Sequence, residues 1–123
     1  MKLLVIATDP VDAAAVRGAL PREDLDGAEV LVVSPAEQTS TLKFLMSDTD
    51  EAIGRAEDSA ARTGEALRSE GAHVRTDTGD SQPLVAIQDA LATFPADRIL
   101  VFGDAALAER ARAEFAVPVS AAP

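Results

Sequence analysis

Asp9-Pro10 stands just past an apolar run, Leu3-Leu4-Val5-Ile6-Ala7, with Thr8 between. A carboxylate there can accept hydrogen bonds from a ribose or a similar hydroxylated ligand. It can equally cap a helix whose first position Pro10 would take. Gly103-Asp104 stands just past another run, Ile99-Leu100-Val101-Phe102. Its glycine allows either close backbone approach to a phosphate at a helix N-terminus or a plain turn. Asp104 argues against the phosphate, because its own carboxylate takes the place an anion wants. Ser34-Pro35 closes a third apolar run, Val30 to Val33, and Gly79-Asp80-Ser81-Gln82-Pro83 reads as turn and cap chemistry. Asp48, Asp50 and Glu51 make a favourable helix start, with Asp48 and Glu51 spaced as a capping box. The connection before them holds an apolar knot, Leu42, Phe44, Leu45 and Met46, which is either a satellite core or a contact surface.

Other chemistries lack their residues. His73 is the single His and there is no Cys, so no metal site, disulfide or thiol chemistry is expected. No P-loop and no Gly-x-Gly-x-x-Gly follows the first run. A nucleophile elbow is missing, and a Ser-His-Asp triad would rest on His73 alone. The only lysines are Lys2 and Lys43, which removes the Lys a receiver domain needs after its fifth strand. The chain is therefore not expected to be an enzyme or to hold a cofactor. With 11 basic and 21 acidic residues the net charge is −10, which argues against nucleic acid and anionic membrane as partners. No apolar run approaches the length of a membrane span or a signal peptide, so a cytoplasmic location is expected.

The elements that must position Asp9 and Gly103 follow from the hydrophobic pattern. The 123 residues suit one domain, 1–123. Five short runs alternate with four helical stretches. Ala13, Val16 and Leu20 make one helical stripe, ended by Pro21; Ile53, Ala56, Ala60 and Leu67 make a longer one, ended by Gly71. Leu84, Ile87, Leu91 and Phe94 make a third, and Leu107, Ala111 and Phe115 a fourth. Strict β-α alternation predicts an α/β fold with a doubly wound parallel sheet and helices on both faces. Central strands of such sheets are apolar on both faces, whereas edges tolerate polar residues and Pro. The third run, His73 to Thr78, is polar, and the fifth, Val117 to Ala121, contains Pro118. Those two are the edges, which gives the order 3-2-1-4-5 and disfavours 2-1-3-4-5. The switch point then lies between strands one and four. Thr8, Asp9, Phe102, Gly103 and Asp104 sit at its mouth, with Ser34 and Pro35 beside them.

In order and spacing the chain resembles the universal stress protein family along its whole length, and within it an uncharacterised actinobacterial branch. Met1 to Pro10 looks like that family's opening strand and Asp. Thr78-Gly79-Asp80-Ser81-Gln82-Pro83-Leu84-Val85-Ala86-Ile87 is similar to its Gly-Asp-x-x-x-x-Ile turn, and Asp97 to Gly103 to its fourth strand. Ala108 to Val119 looks like its last helix and Pro-containing strand. The resemblance implies an adenine-nucleotide-alpha-hydrolase-like fold, a role in stress response and a homodimer paired through the fifth strand. ATP-binding members carry Gly-x-x-Gly, nine residues, then Gly-Ser/Thr after strand four. Here only Gly103 matches, with Ala106 and Ala116-Val117 at the other places. Asp9 carries over as a ribose ligand; the phosphate residues do not. The expectation is a non-catalytic interaction or regulatory module with a degenerate nucleotide site. The alternative is a small-molecule or adenine-nucleotide sensor using Asp9 and Gly103, with Thr8, Ser34 and Phe102 lining the crevice.

Overall fold

A computed structural model describes residues 1–21, 24–36 and 49–123, with side chains from 53 onward in the last segment. Its elements run β1 (Lys2–Ile6), α1 (Ala13–Ala19), β2 (Glu29–Pro35), α2 (Thr49–Arg68) and β3 (His73–Gly79), followed by α3 (Pro83–Thr93), β4 (Arg98–Phe102), α4 (Ala105–Glu114) and β5 (Val119–Ala122). All four strand pairs are parallel and the order is β3-β2-β1-β4-β5, as the polarity of the runs predicts.

Alternation along each central strand builds two cores. Leu3, Val5, Val30, Val32 and Leu100 pack with Val16, Ala60 and Leu67 of α1 and α2. Leu4, Ile6, Val33, Ile99 and Val101 pack with Ile87, Leu107 and Ala111 of α3 and α4. Both faces are dry, which is why the runs are apolar throughout rather than alternating. Burying each Leu or Val contributes roughly 1.5–3 kcal/mol. Gly79 ends β3 where only a hydrogen fits: a Cβ would stand 2.6 Å from Ala86 Cβ and 2.8 Å from Val33 Cγ1. No described helix is long and apolar enough to cross a membrane.

Each edge strand has an arginine laid along it. Arg68, in the last turn of α2, donates from Nη2 to the Val74 carbonyl at 2.9 Å. Arg112, in the last turn of α4, donates from Nε to the Val119 carbonyl at 3.0 Å. Pro118 O and Ala122 O accept from Ile99 of β4 and from Gly103 just past it, so by alternation Val119 O points outward. Charged side chains on an edge discourage further strand pairing.

Most strand ends shift by one or two residues from the sequence expectation, and two boundaries move for a clear physical reason. β5 starts at Val119 rather than Val117, because Pro118 has no N–H and only its carbonyl joins the ladder, accepting from Ile99 at 2.9 Å. α1 starts at Ala13, and its cap is Asp12 rather than Asp9: Asp12 Oδ1 accepts from the Ala15 N–H at 2.8 Å. Two aspartates three apart could each cap the same stripe, and packing decides between them. The Gln38–Thr41 connection, the Leu42–Met46 knot and the Asp48–Glu51 capping box lie outside the described residues.

The strand-end crevice

Hydrogen-bonded neighbours β1 and β4 run in register, Ile6 beside Val101. The segments that follow, Thr8-Asp9 and Gly103-Asp104, therefore leave the sheet side by side. Thr8, Asp9 and Pro10 are exposed. With Asp12 as the α1 cap, the Asp9 carboxylate makes no hydrogen bond or ion pair among the described residues.

The segment carrying Asp9 is fixed from an unexpected direction. The Val11 N–H donates to Thr63 Oγ1 at 3.0 Å, and Thr63 donates to the Ser59 carbonyl at 3.0 Å. Thr63 is fully buried in the middle of α2, 52 residues away in sequence. The one sequence clue is that Ser59 and Thr63 fall within the buried stripe Ala56, Ala60, Leu67, where a polar side chain needs a partner. Ser59 Oγ, also buried, has none among the described residues.

On the β4 side the donors are spent internally. Gly103 sits at φ +76° with open space around its Cβ position, so a left-handed turn requires the glycine, not a close approach. Its N–H donates to Ala122 O at 2.9 Å. Asp104 caps α4, its Oδ1 accepting from the Leu107 N–H at 2.9 Å. α4 thus begins two residues after Gly103, with a carboxylate already at its positive end.

Ser34 and Phe102 lie in the core rather than on the crevice wall. The Ser34 hydroxyl is fully buried and donates to Ala7 O at 2.6 Å, locking β2 to the exit of β1. Phe102 packs with Leu100, Val5 and Val16 on the α1–α2 face. What the strand ends present to solvent is the Thr8 hydroxyl, the Asp9 carboxylate and the Gly103 turn. His73 is exposed at the opposite end of the sheet, at the start of β3.

No protein-family model and no curated protein sequence matches the chain. Solved structures do. The universal stress protein from Archaeoglobus fulgidus superposes with a TM-score of 0.73 at 20% identity, over 100% of this chain and 93% of that one. The universal stress protein from the same organism in complex with dAMP gives 0.73 at 22% identity, over 100% and 98%. A universal stress protein family protein from Arabidopsis thaliana with AMP bound gives 0.66 at 11% identity, over 98% and 90%. At these identities the likeness is one of fold.

Proposed function

We propose that this chain is a universal-stress-protein-type domain that works as a non-catalytic interaction or regulatory module, without a complete site for ATP. The observation that carries the reading is Asp104. Its carboxylate holds the Leu107 N–H, and that is a donor a bound phosphate would use at the start of α4. An incoming phosphate meets a fixed negative charge there, beside the Ala105 and Ala106 amides. The Gly103 N–H is likewise committed, to Ala122. Triphosphate binding needs several donors or cations to replace lost hydration, and next to Gly103 the α4 start offers only the Ala105 and Ala106 amides beside the Asp104 carboxylate.

The second reading, a nucleotide or small-molecule sensor, rests on Asp9. Released from capping, its exposed carboxylate is free to accept from a ribose hydroxyl. The solved structures with dAMP and AMP lend that reading support, with a monophosphate as the favoured ligand. One such contact contributes about 0.5–1.5 kcal/mol net, too little alone for tight binding.

A homodimer completes the proposal, with the short β5 edge as its seam. Arg112 already occupies the outward Val119 carbonyl, so pairing there rests on Ala121 unless Arg112 withdraws. The test is native mass spectrometry of protein purified from its own host. Two copies without nucleotide are expected. Retained adenine nucleotide would favour the sensor, and a monomer near 12.8 kDa would reject the dimer.

A further inference from the structure

The end of the sheet away from the crevice holds a groove of about 540 Å³. Register places Lys2, Glu29 and His73 in one row across β1, β2 and β3. Arg75, two residues beyond His73, shares that face, and Phe94 closes it from the end of α3. Arg68 reaches the same groove from α2 around the β3 edge.

The charges do not cancel. Lys2 Nζ faces Glu29 Oε2 at 3.9 Å, and Asp97, beside the groove, accepts from the Lys2 N–H at 2.8 Å. Neither Arg68 nor Arg75 has a carboxylate partner among the described residues. In a chain of net charge −10, two guanidinium groups with no ion-pair partner among the described residues and the single His line one concave surface, where Lys2, Arg68 and Arg75 outnumber Glu29 and Asp97. Arg68 has a local reason to be there, since a cation suits a helix C-terminus. Arg75 comes from the edge strand β3, and it too meets a helix end, at Phe94, the cap residue of α3. Its guanidinium lies 5.7 Å from the centroid of the buried Phe94 ring. That distance is within cation–π range, and a guanidinium held by its face on a ring keeps its edge donors available to an anion. Pro95 supplies an apolar wall on the Arg75 side, while Val74 and Ala72 turn to the α2 face and meet the groove only where it rounds the β3 edge. The volume is within the range of small-molecule sites and far larger than one inorganic ion needs.

We infer that this groove binds a small organic anion, a phosphate or carboxylate group attached to an apolar body. The anionic group is held by Arg75 and Arg68, and the body rests against Pro95. The inference is independent of the strand-end crevice, which lies at the other end of the sheet.

Amide NMR titrations at about 150 mM salt test it, with phenyl phosphate, benzoate and inorganic phosphate as probes. The expected result is saturable shifts at residues 29–31, 72–75 and 93–94 with phenyl phosphate, benzoate or both, whichever arm binds naming the anionic group. Affinity falls at least tenfold in Arg75→Gln, and inorganic phosphate binds at least tenfold more weakly. Arg75 is exposed, so the variant folds, and Arg75→Lys separates charge from planarity by recovering only part of the binding. Silence with both organic probes overturns the proposal. So does unchanged binding in Arg75→Gln, equal binding of inorganic phosphate, or shifts confined to Thr8, Asp9 and Gly103.

Discussion

Thr63→Val removes one hydroxyl from the middle of α2 and keeps the shape of the side chain. The wild-type hydroxyl accepts from the Val11 N–H and donates to Ser59 O, each at 3.0 Å. The Ser59 carbonyl retains its helical partner, so the loss falls on Val11. That N–H is half-buried, and leaving such a donor unmet costs about 1–3 kcal/mol. The new methyl sits in a fully buried position and offsets a few tenths of that. The expected loss is about 1–2 kcal/mol, or a fall of roughly 4–8 °C in Tm for a chain of this size. With no Trp or Tyr, the assay is urea unfolding followed by circular dichroism at the helix band, with the slope m unchanged. Ser59→Ala is the matched control, one turn earlier on the same helix. Its hydroxyl has no partner among the described residues, and Ala is the better helix former, so stability stays level or rises by up to about 1 kcal/mol. A neutral Thr63→Val, or a Ser59→Ala that loses more than about 1 kcal/mol, would refute the assignment of which hydroxyl ties the Asp9 segment down.

Gly79→Ala is expected to cost about 1–3 kcal/mol in the same urea assay, because the new Cβ meets Ala86 and Val33 below 3 Å. Gly103→Ala has room for its methyl but keeps φ at +76°, so the loss is about 1 kcal/mol and comes from the backbone alone. Arg112→Ala exposes the outward Val119 carbonyl on β5 and is expected to tighten self-association, read as a lower midpoint concentration in light scattering.

The sheet was legible because burial on both faces leaves a compositional mark. Val30–Val33 and Ile99–Phe102, short and apolar between turn residues, mark interior strands, and the arginine and aspartate of β3 mark an edge. The strand-end crevice was legible in place but not in detail. Its position follows from topology, whereas the use of each polar group depends on contacts between residues far apart in sequence. Asp9 and Asp12 offer the same local capping chemistry, and the choice of Asp12 accompanies a hydroxyl on another helix. Ser34 looks like a crevice residue from its place after β2, yet its side chain turns inward to the Ala7 carbonyl. The groove near Arg75 left no motif at all, since its residues come from three strands and two helices and meet only through register.

The central claim is that the Asp104 carboxylate and the internal partners of the Gly103 and Leu107 N–H groups leave the crevice too poor in donors for a triphosphate. Isothermal titration with Mg-ATP tests it most directly. Micromolar affinity requires roughly −8 kcal/mol, which the Asp9 carboxylate and the Thr8 hydroxyl cannot supply at about 0.5–1.5 kcal/mol per hydrogen bond. The account predicts no dissociation constant below about 10 μM and no hydrolysis. A constant below about 10 μM that Asp9→Ala abolishes would contradict it.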